Sequence, residues 1–377
     1  RVNNLSNENN TGGPTISGIT TYSGRHFFVP PQGDTASRPS DCEPGSLRFN
    51  TDTAHLEYFR GNTIGWTEIE AELTEPLGGG TGSNRGIGVR GLMMGGNGSP
   101  DNTREEIEFI TISTLGNSQD FGELTQGSQS AVGNMSSRTN AFYAGGSLIP
   151  AGVNVINRIT IASLGNGVDY GDTLTNRAGG GGVSNQIRAI IMGGNADSPV
   201  TNVIEYFSMT QSGNSVDFGD LATAREQPAG GVNSSTRGLL AGGSSPSTNQ
   251  IDFITMSTLG DSQDFADLTH NISSAAGGCN STRGLFAGGA LSPGRTNIIS
   301  FVTIATKSDA TDFGDLTVVR QGVAGMSSPT RAVFSGGALT PNPIYNVLDY
   351  VEIATTGNAL DFGDIAGSGS TNGQIHN

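Results

Sequence analysis

Between residues 77 and 366 the chain repeats itself six times, and a self-repeating chain has few ways to fold. A Gly-Gly pair falls at Gly95-Gly96, Gly145-Gly146, Gly193-Gly194, Gly242-Gly243, Gly288-Gly289 and Gly336-Gly337. An Asp-aromatic pair falls at Asp120-Phe121, Asp169-Tyr170, Asp217-Phe218, Asp264-Phe265, Asp312-Phe313 and Asp361-Phe362, advancing by 49, 48, 47, 48 and 49 residues. A unit of this size cannot bury an apolar face alone but can do so against its own neighbours. A period of about 40–50 residues built from short apolar runs marks an all-β fold with one four-stranded sheet per unit. The expected architecture is a six-bladed β-propeller over residues 77–366.

Residues 320–367 show how one unit is written. A small-residue strand (321–326) leads through the turn 327–330 to an apolar strand, Arg331–Ser335, that ends at Gly336-Gly337. After a Pro- and Asn-rich loop comes the longest strand, 347–355, then a turn and a last strand opening at Asp361. Apolar residues on both parities fit sheets covered on two faces. The Gly-Gly pairs are expected at positive φ or at a close backbone approach near the central channel. The Asp-aromatic unit is expected to place a ring in the core and close a turn. An arginine opens the second strand at Arg90, Arg188, Arg237, Arg283 and Arg331, whereas the second unit has Asn140 there and Arg138 two residues earlier. An Arg and an Asp in nearly every unit suggest a ring of ion pairs.

Glycine is 58 of 377 residues, about twice the usual share, and much of it sits at fixed repeat positions rather than in a linker. The net charge of −15 disfavours nucleic acid as a partner, because phosphates require a basic patch. Lys307 is the only lysine, which argues against Schiff-base chemistry. Cys42 and Cys279 have no metal-ligand spacing and read as free thiols. No apolar run is long enough for a membrane span. No leader-like run opens the sequence, which starts at Arg1 and not at Met, so removal of a preceding segment is the expectation.

The histidines, His26, His55, His270 and His376, do not recur in the repeat and have no partner at ligand spacing. The acid pairs Asp120/Glu123, Asp169/Asp172, Asp217/Asp220, Asp264/Asp267, Asp312/Asp315 and Asp361/Asp364 could in principle hold calcium or act as acid and base. Their presence in every unit favours turn capping, since an active site is normally single. Gly78–Gly80 and Gly179–Gly182 lack the Lys of a phosphate loop, and no G-x-S-x-G elbow occurs. The expectation is a protein without catalytic residues, metal or cofactor. The loops after Gly-Gly differ between units, leave the same edge of every sheet and are rich in Ser, Pro, Asn and Thr. Asn102, Asn154, Asn202, Asn249, Arg295 and Asn342 are the candidate binding residues of that rim.

The order of strand, basic residue, apolar strand ending in Gly-Gly, long strand and aromatic resembles Kelch repeats. The phrases STRGLFAGG, NIISFVTIAT and DFGDLT are similar to the Kelch-like arrays in virion structural proteins of marine tailed phages, cyanophages in particular. The Tyr after the glycines and the later Trp of Kelch repeats are missing, and the one tryptophan, Trp66, lies outside the repeats.

Ahead of the repeats, GSLRFNTDTAHLEYFRGNTIGWTEIE (45–70) reads as three short strands with Leu47, Phe49, Leu56, Tyr58, Trp66 and Ile69 as a small core. It resembles modules of phage tail-fibre and other virion proteins. Residues 1–24 are expected to be an extended attachment arm, 25–76 a small β module and hinge, and 367–377 a flexible tail. The resemblance implies a non-enzymatic virion structural protein at the surface of a phage particle. Residues 1–76 would dock to other virion proteins and the propeller would project outward, as tail fibre, baseplate or capsid decoration. The alternatives are an adhesin holding a host surface glycan or protein with the rim loops, and a polysaccharide-degrading enzyme.

Overall fold

The computed structural model describes residues 30–53, 55–69, 90–96, 103–148, 151–195, 199–339 and 345–366. The arm 1–24, the glycine run 78–80 and the tail 367–377 lie outside them. Every regular element among the described residues is a strand. The chain forms two compact units, residues 1–74 and 75–377.

In the first unit Gln32–Gly33 pairs in parallel with Leu47–Asn50, which continues antiparallel to His55–Phe59 and Trp66–Ile69. The buried face is not the expected one. Leu47 is 49% exposed, while Arg48, Asn50, Glu57 and Phe59 are buried. Strand alternation puts these four on the face opposite Leu47, Phe49, Leu56 and Tyr58. A carboxylate on that face is tolerable because it is paired. Arg38 Nε donates to both Glu57 oxygens (3.1 and 3.2 Å), Asn50 Nδ2 donates to Oε1 (2.8 Å), and Arg48 lies 3.9 Å away. The Arg48 guanidinium also lies 5.7 Å from the centre of the Trp66 ring. The R-x-N, E and W positions of the hairpin thus meet in one cluster with Phe59, and Leu47, Phe49, Leu56 and Tyr58 lie on the other, partly exposed face.

Among the described residues the second unit carries six antiparallel sheets of three or four strands in chain order, and a two-stranded ribbon, Ser147–Leu148 with Ala151–Gly152, in the loop after Gly145-Gly146. Sheet S1 has Arg90–Met94, Glu106–Thr111 and Gln119–Glu123. Sheets S2 to S6 have four strands each, denoted a to d. S2 is Val132–Ser136, Asn140–Ala144, Val155–Thr160 and Val168–Asp172; S3 is Gly181–Ser184, Arg188–Met192, Val203–Ser208 and Val216–Asp220. S4 is Gly231–Asn233, Arg237–Ala241, Gln250–Thr255 and Gln263–Asp267; S5 is Ala276–Cys279, Arg283–Ala287, Ile298–Thr303 and Thr311–Asp315. S6 is Ala324–Ser327, Arg331–Ser335, Val347–Glu352 and Leu360–Asp364. The three described strands of S1 match b, c and d. The fold is all-β and propeller-like, and strand c ends about two residues before its expected limit in most units.

Sheets pack face to face in chain order. Each hydrophobic cluster joins two neighbours: Leu92 and Phe121 of S1 with Tyr143 of S2, Phe142 of S2 with Phe207 of S3, and onward to Phe313 of S5 with Phe334 of S6. A further cluster joins Met326, Val333 and Phe362 of S6 to Met93 and Ile110 of S1. The a strands of S2 to S6 pack on one another in order, and strand a of S6 packs on strand b of S1. They approach through one glycine each. A Cβ on Gly182 would strike the carbonyl oxygen of Gly133, on Gly231 that of Gly182, on Gly277 that of Gly231, and on Gly325 that of Gly277. Glycine is the only residue that lets backbones come this close.

Candidate functional site

The Gly-Gly pairs close strand b at positive φ, for example 66° and 110° at Gly145 and Gly146. The second glycine N–H donates to the segment leading into the next sheet: Gly96 to Ser128 O, Gly146 to Arg177 O, Gly194 to Arg225 O, Gly243 to Ile272 O and Gly289 to Arg320 O. The close approach expected of these pairs is therefore to the neighbouring sheet. The glycines that bring the a strands together are Gly133, Gly182, Gly231, Gly277 and Gly325. In sequence they read as ordinary small residues of strand a.

The Asp-aromatic unit sits at a bulge. In each sheet the register of strands c and d slips by one residue at the aromatic, as between Ile204 and Glu205 opposite Phe218. The slip turns the ring into the core. The ring meets the aromatic of strand c edge-on in five sheets, at 5.8 to 6.2 Å between centres. The aspartates before the rings are exposed. The acid that follows two residues after the ring is tied through its backbone. Glu123, Asp172, Asp220, Asp267, Asp315 and Asp364 donate N–H to Asn166, Asn214, Asp261, Asp309, Asn358 and Asn117 of the next turn, at 3.0 to 3.2 Å.

The expected ion pairs between repeated arginines and these aspartates are replaced by other contacts. Arg90, Arg188, Arg237, Arg283 and Arg331 lie 4.4 to 5.0 Å from the aromatic centres of Phe109, Tyr206, Phe253, Phe301 and Tyr350. Each Nη1 then donates to carbonyls just beyond strand c of the next sheet: Ile161 and Ala162, Met256 and Ser257, Ile304 and Ala305, Ile353 and Ala354, and, from Arg331, Ile112. A long planar fork spans a seam that Asp could reach only at the cost of desolvation.

Buried ion pairs occur elsewhere, between a lead-in residue and the third position of strand c. Arg177 pairs with Glu205 (2.9 Å), Arg225 with Asp252 (2.6 Å) and Arg320 with Asp349 (2.8 Å). These side chains are nearly or fully inaccessible to water. Burial lowers the affinity of the three guanidinium groups for their protons, and it raises the Asp252 carboxyl pKa against the pull of Arg225. Where Arg gives way to Ser128 or Ile272, the acid gives way to Asn157 or Ser300. Asn157 and Ser300 instead bond Thr125 (2.7 Å) and Thr269 (2.9 Å). In S2 to S6 the charges come and go in pairs, as buried charge requires; in S1 the buried acid at this position, Glu108, lies 3.9 Å from Arg104 instead. Both columns were visible in the sequence and could have been found by aligning lead-in segments with strand c.

Antiparallel pairing sets the loops after Gly-Gly at one rim and the a–b and c–d turns at the other. On the first rim Asn249 Nδ2 donates to Leu268 O (3.3 Å), while the carbonyls of Asn154 and Asn202 accept from Thr173 and Leu221. These asparagines anchor the loop bases. Arg295 Nη1 donates to Gly294 O, and its Nε is buried without a partner. Asn102 and Asn342 lie outside the described residues. His55 lies 3.0 Å from Glu68, and His270 bonds Thr269. Among the described residues no three His, Cys, Asp or Glu side chains cluster as metal ligands would. No helix there is long and apolar enough to cross a membrane. No known family model matches the chain. No curated protein shows significant similarity to it.

Proposed function

We propose that the protein is a non-enzymatic structural component of a phage particle, built as a closed six-bladed Kelch-like propeller on an N-terminal docking module. The observation that carries this reading is where the repeated residues go. The Gly-Gly amides, the arginine forks, the bulged aromatics and the backbone ties after them all serve seams between sheets. Residues repeated in five or all six units for packing describe a rigid scaffold, not a reaction centre.

Closure is supported by seams of the same kind between S6 and S1: Arg331 to Ile112 O, and Asp364 N–H to Asn117 Oδ1. Docking through residues 1–76 is supported by the module, whose outward apolar face includes the half-exposed Leu47. An adhesin that holds a host glycan with the Gly-Gly rim is the second reading, favoured by the unpartnered Nε of Arg295.

Mass spectrometry and cryo-EM of purified particles test the proposal. The expected result is the intact chain in the particle, with a six-fold pseudosymmetric disc facing solvent and residues 1–76 against another virion protein. Absence of the chain from particles overturns it.

A further inference from the structure

S2 breaks the repeat at two facing positions. Its second strand begins with Asn140 in place of the arginine, and its third strand carries Arg158 where the other sheets have Phe109, Tyr206, Phe253, Phe301 and Tyr350. In five sheets the arginine lies over that aromatic and fills the groove toward the next sheet. Asn140 is too short to do so, and its Nδ2 donates instead to Thr139 Oγ1 (3.0 Å). The groove between S2 and S3 is left as an open cavity of about 570 Å³. The cavities beside Phe109 and Phe253, each lined by one sheet alone, hold about 260 and 180 Å³.

The chemistry of the cavity is specific. Arg158 is held over Tyr170, 5.5 Å from the ring centre, and its Nε is buried without a hydrogen-bond partner. A second guanidinium, Arg138, lines the same space. The remaining lining is hydroxyl and amide groups from Asn140, Gln186, Thr210 and Gln211 among others, with Met209 and Tyr170 as the apolar members. No lining residue is an acid, in a chain of net charge −15. Two guanidinium groups with no acid among the lining favour an anionic ligand. A cavity within the roughly 300–1,000 Å³ range of small-ligand sites, but lined by short donors and acceptors, suits a polyhydroxylated ligand better than an apolar one.

We propose that this cavity binds an acidic sugar, the uronic-acid unit of an anionic polysaccharide. The carboxylate meets Arg158 and Arg138, and the sugar hydroxyls meet the amides and hydroxyls around them. The site lies among the a–b and c–d turns, at the rim opposite the Gly-Gly loops, so it is distinct from the rim of the adhesin reading. It does not depend on the protein belonging to a particle.

Isothermal titration calorimetry of the full chain tests it with D-glucuronate, D-glucose and sodium sulfate. Glucuronate is expected to bind, glucose not to, and sulfate to bind at least tenfold more weakly. Arg158→Gln is expected to weaken glucuronate at least ~10-fold, the usual worth of a charge-assisted hydrogen bond. The double variant Asn140→Arg/Arg158→Phe restores the repeat and fills the groove; it is expected to melt no lower than the parent and to give no heat with glucuronate. If that variant does not fold, Arg158→Gln alone decides. No heat with glucuronate, equal heat with glucose, sulfate matching glucuronate, or unchanged binding by Arg158→Gln each overturns the proposal.

Discussion

Replacing Gly277 by alanine tests whether the a strands are held at glycine-only distance. The new Cβ would lie 2.6 Å from Gly231 O, with the carbonyl carbon and amide nitrogen of Gly231 at 3.2 and 3.3 Å. Ordinary contact begins near 3.4 Å, so one strand must retreat by about 0.8 Å. Neither is free to move. Gly277 is laddered to Phe286 and Gly231 to Leu240, and every clashing atom is backbone, with no side chain to swing aside. Overpacking costs about 1–3 kcal/mol, and rigid surroundings put this case near 3 kcal/mol. At roughly 2 °C per kcal/mol for a domain of this size, calorimetry should show Tm lower by about 6 °C. Gly357→Ala is the control, because its Cβ meets nothing within 4 Å. Its Tm should stay within about 1 °C or rise slightly as the unfolded chain loses freedom. If both variants melt with the parent, the strands are not as close as described.

The charge columns make a second prediction: Arg225→Ile should destabilise by about 3–5 kcal/mol in urea melts by leaving Asp252 buried alone, and adding Asp252→Ser should recover most of the loss. Hydrogen bonds from Arg38 lower the Glu57 pKa below its ordinary value, so its contribution to the module is present above the unfolded carboxylate pKa and is lost as pH falls through the folded one. Fluorescence of Trp66, the only tryptophan, should report that acid transition, and Glu57→Gln should remove its pH dependence. Burial pushes the Cys279 thiol up to about 11, whereas Cys42 is only partly covered. A thiol reagent should therefore modify Cys42 in the native protein and Cys279 only after unfolding.

Strand positions were legible because each strand is bounded by Gly-Gly, by an Asp-aromatic pair or by a short polar turn. The positive φ of the Gly-Gly pairs followed from the same reasoning. Contacts between units were not legible, because they join residues that no local pattern links. Arg283 reads equally well as a partner for Asp264 and for Ile353 O; only the stacking of sheets decides for the carbonyl. Gly277 reads as one more small residue until Gly231 O appears beside it. In the module, a core chosen by bulk mixes the two faces, since Trp66 lies on the Phe59 face and Ile69 on the Leu56 face. The Glu57 cluster reverses that choice, because a paired carboxylate with Arg38, Arg48 and Asn50 around it occupies the inside. In S2, Asn140 stood out in sequence, but its partner change at Arg158 emerges only when the c strands are laid side by side.

The paired columns have a consequence for assembly. Six near-copies of one unit on a single chain invite wrong-neighbour association while the chain folds, since each lead-in segment could lie across another unit's third strand. The columns act as an address. Ile272 set beside Asp349 would bury an acid alone, and Arg177 beside Ser300 would bury a cation alone. Each mismatch carries a penalty of about 3–5 kcal/mol relative to the matched pair. The mixture of charged and neutral units thus tells a charged piece from a neutral one. It also constrains the gene: an exchange between repeats that separates a charged lead-in segment from its own third strand yields a chain with stranded buried charge.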